Sequence, residues 1–315
     1  SSLRGPLENT VVSDFEIQQG FRQRMTAAGV DEVVTSTIVD GGWTSWNRLP
    51  SAPALANPAT SSDVLRSSLI PSLADVARRN FNRRTRTVCI FEIGKCFLDG
   101  DAQATALHTE NLRLGGLWFG LGKESSWRDE RRQVDFLDLK GLIESVTEDL
   151  DPGIHSGAHP LMRVGHCAEL SISGKPAGNL GECSRELREA FDLPEPVYIF
   201  ELDFEVLATA WKAREAAFRP PPKFPPIERD LAIVLDESVP AGEVIAAVRQ
   251  VDPKLIEFVE LFDVYTGDQV GPGEKSLAFN LRLRSPERTL LDREADEVIA
   301  GVLADLGRAF GVRLR

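Results

Sequence analysis

His155, His159, His166 and Cys167 lie close together in the chain, and their side chains are of the kinds that hold zinc. A structural zinc site needs such ligands in short fixed pairs. The four cysteines (Cys89, Cys96, Cys167 and Cys183) form no CxxC pair. "GIHSGAHPLMRVGH" instead reads as a Pro/Gly-rich loop in which polar residues belong anyway, and no metal site is expected. The glycines before Lys275 and Ser276 in "GDQVGPGEKS" suggest a phosphate loop. Glu274 stands where a Gly should precede the Lys, however, and a strand pattern follows where a helix N-terminus is required. GxSxG, HExxH and GxGxxG do not occur. Asp135 and Asp138 read as helix caps or solvated faces. No catalytic residue is expected.

The basic residues are more informative. Arg282 and Arg284 alternate with Leu281 and Leu283, so the arginines share one sheet face and the leucines the other. Residues 220–315 carry 12 Lys+Arg against 17 Asp+Glu, so any cationic patch there is local. A second group, Arg78, Arg79, Arg83, Arg84 and Arg86, sits at the end of a helical pattern, where cations oppose the macrodipole favourably. Arg66, earlier in that stretch, is not explained this way.

These residues need elements to position them. The chain has 315 residues, 42% hydrophobic and 27% charged, which suits two globular domains. It contains no run of about 18 apolar residues that could span a membrane. "SSLRGPLENT" has no secretory-signal features, and a start in such a linker-like run is expected of a piece of a longer polypeptide. Unpaired cysteines predict a reduced, cytoplasmic setting. A net charge of −12 argues against a promiscuous polyanion binder.

Five prolines in "FRPPPKFPPIERD" predict a stiff linker over 218–228, between domains at 1–217 and 229–315. After it come the strand "RDLAIVLD", a helix with Val244, Val248 and Val251 on one face, and the strands "LIEFVELFDVY" and "KSLAFNLRLR". A helix capped by Asp292 and ended by Gly311, then a short terminal strand, complete the order βαββαβ. That is the ferredoxin-like plan, with both helices on one face of an antiparallel sheet.

Before the linker, "FEIQQGFRQRMTAAG" predicts a helix followed by the strand "DEVVTSTIVD". A helix begins near Pro71, with Leu65, Leu69 and Leu73 in the core, and the strand "VCIFEIGKCF" follows. "NLRLGGLWFGLG" reads as a strand pair and "DFLDLKGLIESVTEDL" as a helix. "HCAELSISGKPAGNLGECS" reads as a hairpin around Gly174-Lys175, and "PVYIFELDFEVL" as one long strand. The domain is α+β and dominated by an antiparallel sheet.

In order, "NPATSSDVLRSSLIPSLADVARRNFNRR", "VCIFEIGKCF", "FLDLKGLIESV" and "HPLMRVGHCAELSISGKPAGNLGE" resemble the family of bacterial phenylalanyl-tRNA synthetase β subunits. "FPPIERDLAIVLDESVP" and "LFDVYTGDQVGPGEKSLAFNLRLRSPERTLLDREAD" resemble its C-terminal anticodon-binding domain. The resemblance covers nearly the whole chain. It implies a class II synthetase-like antiparallel sheet domain without an active site, followed by a ferredoxin-like anticodon-binding domain. The missing class II Arg-Glu motif and GxGxxR stretch agree with that loss.

The resemblance further implies a catalytic α subunit that handles ATP, Mg²⁺ and phenylalanine, an (αβ)₂ heterotetramer, and tRNA(Phe) as partner. No cofactor is expected in this chain, and neither DNA nor a membrane is expected as a partner. The family's N-terminal editing domain and acidic magnesium-binding segment are not in the chain, so neither activity is expected. The residues expected to contact tRNA phosphates are Lys275, Arg282, Arg284 and Arg288, with Lys223 and Arg229 at the linker edge. The arginines after the Pro71 helix are expected to face a partner subunit or the tRNA backbone. The rival reading is a stand-alone protein-interaction module without an RNA role. A single-chain synthetase would need catalytic motifs that do not occur.

Overall fold

Runs of alternating apolar residues in the first two-thirds of the chain pair into one large sheet. The computed structural model describes residues 12–45, 49, 51, 53–58, 62–99, 108–122, 131–214, 221–267 and 269–315. Contacts divide the chain into two units, Ser1–Ala216 and Ala217–Arg315. Residues 218–220 of the expected linker lie outside the described residues.

The first unit begins with α1 (Asp14–Ala27), followed by β1 (Asp31–Glu32), β2 (Ile38–Asp40), α2 (Gly42–Ser45), β3 (Ser62–Leu65) and α3 (Ile70–Asn82). Next come β4 (Val88–Asp99), β5 (His108–Phe119), α4 (Phe136–Thr147), β6 (Pro152–Ser156), β7 (Met162–Ile172) and β8 (Lys175–Cys183). It closes with α5 (Arg185–Ala190), β9 (Val197–Asp203) and α6 (Phe204–Ala213). Seven strands form one sheet in the order β1-β4-β5-β9-β8-β7-β6, with β1 parallel to β4 and every other pair antiparallel.

Strand alternation splits the core. Phe91, Leu114, Leu170, Leu180, Phe200 and Leu202 pack with α1, α4 and α6. Ile90, Leu117, Phe119, Cys167 and Ile199 pack with α3 and α5 on the other face. Capping boxes start two of the helices. Ser13 and Glu16 open α1, and Asp135 and Asp138 open α4, each pair exchanging backbone N–H bonds through its side chains. Ser173 (φ 49°) and Gly174 (φ 74°) make the two-residue turn of the β7–β8 hairpin.

Several expectations are corrected. "PVYIFELDFEVL" is not one strand. Asp203 accepts bonds from the N–H groups of Glu205 (3.0 Å) and Val206 (3.4 Å), so the chain turns into α6. "NLRLGGLWFGLG" lies in the single strand β5 and the turn after it. A side chain at Gly116 would fall 2.2 Å from the Phe200 ring, so the glycine serves close packing and not a turn. "GIHSGAHPLMRVGH" is not all loop, because it holds most of β6 and the start of β7. "DEVVTSTIVD" breaks into β1 and β2 at Thr35, whose side chain reaches Glu92. Leu65 is half-buried, not core.

The second unit holds β10 (Ile227–Asp236), α7 (Ala241–Val251), β11 (Ile256–Tyr265), β12 (Glu274–Leu283), α8 (Asp292–Phe310) and β13 (Arg313–Leu314). The sheet order β11-β12-β10-β13 is that of the ferredoxin-like plan. Leu277, Phe279, Leu281 and Leu283 are fully buried and pack with Val244, Val248, Val302 and Leu306 of the helices. β10 starts two residues before the expected Arg229. Asp292 is the first residue of α8 and not its cap; Glu294 reaches back to the Leu291 N–H (2.9 Å). Gly311 (φ 65°) ends that helix in the left-handed conformation.

Candidate functional site

The sheet face of the second unit opposite the helices is built by strand parity. Arg282 lies on it, cross-strand from Glu228 on one side and Phe258 on the other. Its guanidinium reaches Glu228 Oε1 (3.4 Å) and sits 5.8 Å from the centre of the Phe258 ring. Asn280 donates to Asp230 (2.9 Å) in the next rung. Arg315 lies over the Tyr265 ring at 5.0 Å. Phe258 is 43% exposed, and Phe262, in a β-bulge of β11, is 57% exposed. Exposed aromatic faces beside guanidinium groups can stack on unpaired bases.

The other expected residues are dispersed. Arg284, just past β12, donates to Glu257 (3.0 Å) and to the Phe224 carbonyl (2.7 Å). Arg229 is in register with Leu281, hence on the helix side, and is held by Asp292 (2.7 Å) and Asp296 (3.0 Å). Lys275 shares the parity of Leu277 and donates to the Glu237 carbonyl (2.8 Å). Arg288 is paired with Glu294, whose carboxyl that pairing pulls down to about 2. Lys223 is exposed and has no partner among the described residues. Carboxylates hold Arg229, Arg282, Arg284 and Arg288, so the face is not a concentrated cationic patch. Parity reasoning placed Arg282 but missed Phe258 and Phe262. Phe262 sits in a bulge that alternation does not reveal, and Phe258 in "LIEFVELFDVY" has the side-chain type of a core strand residue.

The first unit carries a second polar constellation. Arg66 Nη2 meets Glu92 Oε1 at 2.9 Å with both side chains 3% exposed. Arg66 Nη1 donates to Thr35 Oγ1 (2.6 Å) and Arg66 Nε to the Lys95 carbonyl (2.9 Å), while Thr35 Oγ1 donates to Glu92 Oε2 (2.6 Å). Glu201 accepts from the Ser68 hydroxyl (2.9 Å) and the Leu69 N–H (2.6 Å) at the start of α3, and burial raises its pKa. Arg66, Glu92 and Glu201 are thus engaged by side chains and backbone of the unit itself. Their arrangement ties β4 and β9 to the segments leading into β2 and α3, and the two hydroxyl–carboxylate pairs it contains, Thr35–Glu92 and Ser68–Glu201, are also bonded to Arg66 and to the Leu69 N–H.

Three of the four His/Cys residues, His155, His166 and Cys167, line one cleft, but among the described residues no group of three or more His, Cys, Asp or Glu side chains is placed to hold a metal ion. His159 Nδ1 accepts from the Leu161 N–H (3.3 Å), and burial lowers its pKa. His166 lies 3.2 Å from Glu182, and Cys167 points its sulfur at Met162 (3.3 Å). That cleft, of about 370 Å³ beside Phe136, Ile154 and Tyr198, also includes Glu182, a carboxylate already held by Arg163 and His166.

Comparison with known proteins bears on both units. The family model of the phenylalanyl tRNA synthetase beta chain CLM domain matches residues 8–204, and that of the ferredoxin-fold anticodon binding domain matches residues 222–315. The phenylalanine–tRNA ligase beta subunit of Symbiobacterium thermophilum is 35% identical over 98% of this chain and 36% of its own length. That of Neisseria meningitidis serogroup B is 34% identical over 92% of this chain and 36% of its own. The chain thus spans about a third of these relatives. A crystal structure of pyrrolysyl-tRNA synthetase from Desulfitobacterium hafniense superposes with a TM-score of 0.50 at 16% identity, covering 64% of this chain and 70% of that one. At that identity the likeness concerns the fold, and it agrees with the class II synthetase-like sheet. The chain belongs to the phenylalanyl-tRNA synthetase β-chain family, with a CLM domain followed by a ferredoxin-fold anticodon-binding domain.

Proposed function

We propose that the chain serves tRNA phenylalanylation as the noncatalytic β part of a phenylalanine–tRNA ligase. The observation that carries this reading is the two family matches, which fill one chain in order. The first unit acts as scaffold for a catalytic α subunit in an (αβ)₂ assembly in the cytoplasm. ATP and Mg²⁺ chemistry belongs to α. The internally consumed Arg66, Glu92 and Glu201 support a structural role for this unit.

The second unit holds the anticodon stem-loop. Bases stack on Phe258 and Phe262, and Arg282 and Arg284 turn from carboxylates to phosphates. Exchange at Arg282 costs little, because its Glu228 pair is long and exposed.

The test is twofold. The chain should co-elute with the α subunit, and it should bind tRNA(Phe) in a filter assay. Phe258→Ala with Phe262→Ala should weaken that binding by roughly 1–3 kcal/mol per stacked base. Arg282→Ala with Arg284→Ala should flatten the salt dependence by about two charges' worth of slope. Absence of both co-elution and tRNA binding would overturn the reading in favour of an unrelated interaction module.

A further inference from the structure

The arginines at and beyond the C-terminus of α3 stand apart from the other cations of the fold. Arg78 and Arg79 share one carboxylate, Asp75 (2.6 and 3.0 Å). Arg83, Arg84 and Arg86 are exposed and meet no carboxylate among the described residues. Residues 75–87 therefore carry five arginines against one aspartate, a local +4 in a chain whose net charge is −12. The helix macrodipole accounts for part of this, but its reach ends within the last turn, and Arg84 and Arg86 lie past it.

The backbone supplies an independent observation. The Arg84 N–H bonds to the Phe81 carbonyl (2.8 Å) and the Thr85 N–H to the Asn80 carbonyl (3.1 Å), the paired bonds of a Schellman motif. That motif puts Arg84 in the left-handed region at φ 71°, where glycine is the usual occupant and a side chain is strained. Gly would be less strained here, so Arg84 holds its guanidinium at this turn at a cost in stability. Arg86 is meanwhile held with its guanidinium 5.6 Å from the Phe81 ring. The turn is thus a fixed platform for cations left without counter-charges.

We propose that Arg83, Arg84 and Arg86, together with Arg79, form a second contact for the RNA phosphate backbone, on the CLM unit and separate from the anticodon-binding sheet. This rests on the tRNA reading given above. Phosphate is favoured over a protein partner because residues 78–87 expose no large apolar side chain that could anchor a protein interface. Planar guanidinium groups also match phosphate oxygens bidentately.

The experiment is tRNA(Phe) binding across a salt series, using the whole chain and an Arg83→Ala/Arg84→Gly/Arg86→Ala variant. The slope of log affinity against log salt should fall by roughly 2–3, and the corresponding triple Lys variant should retain it. Arg84→Gly alone should raise the melting temperature by about 2–4 °C while losing part of the slope. An unchanged slope in the triple variant, with Phe258→Ala/Phe262→Ala still weakening binding, overturns this contact and leaves the anticodon reading standing. No tRNA binding by the unmodified chain overturns both. Competition by polyglutamate as effective as that by tRNA, or loss of α co-elution in the triple variant with the slope unchanged, assigns the patch to an acidic protein and overturns the RNA assignment.

Discussion

Replacing Arg66 by Ala leaves the Glu92 carboxylate inside the first unit with no cation. The two side chains are each 3% exposed and 2.9 Å apart, so the carboxylate left behind is removed from bulk solvent. Removing one partner of such a buried pair costs about 3–5 kcal/mol, most of it the desolvation of the charge left behind. The change also withdraws a donor from Thr35 Oγ1 and from the Lys95 carbonyl. In a unit of this size that loss lowers the melting temperature by about 6–20 °C.

Trp43 lines the same small cleft as Arg66, so urea unfolding followed by tryptophan fluorescence and calorimetry reports on the right region. The companion Arg66→Met/Glu92→Met removes both charges at similar volume. It should recover most of the loss, because the pair's attraction largely repays its own desolvation. A single variant within about 1 kcal/mol of the parent, or a double variant worse than Arg66→Ala, would refute the view that charge compensation is what this pair supplies.

Two further changes probe packing and titration in the first unit. Gly116→Ala sets a methyl 2.2 Å from the Phe200 ring and 3.0 Å from the Ile90 carbonyl, and should cost about 1–3 kcal/mol in chemical unfolding, with partial relief from an added Phe200→Leu. Asp149 is held by Arg24 (2.6 and 2.7 Å) and by Arg214, which lower its pKa to about 2. A depressed carboxylate stabilises the fold above its ordinary pKa and loses that contribution as pH falls toward 2. Thermal melts of the parent should therefore drop between about pH 4 and pH 2 by more than those of Asp149→Asn.

The structure bears out the sequence reading wherever one period and one apolar face determine an element. The ferredoxin order, the α4 stripe of Leu139, Leu142, Ile143 and Val146, and the β7–β8 hairpin are local patterns, and each lies where alternation or helical spacing puts it. α6 escaped because "PVYIFELDFEVL" is apolar on both sides of Asp203, so only the capping bonds mark the change from strand to helix. β6 escaped because a short strand at the sheet edge, rich in Gly, His and Ser, has the composition of a loop. Leu65 is half-buried because β3 is paired with β2 in a small two-stranded sheet, outside the large one.

The sequence by itself determined the family and the facing of the strands, because motif order and side-chain parity are properties of neighbouring residues. Charge compensation was decided by the tertiary structure. Arg66 has its counter-ion 26 positions away in Glu92, Arg229 has its own 63 positions away in Asp292, and Arg282 has its own 54 positions away in Glu228. Arg83, Arg84 and Arg86, written in the same letters, have none among the described residues. Coulomb attraction depends on separation in space and on the dielectric around the pair, and neither is fixed until distant segments pack together.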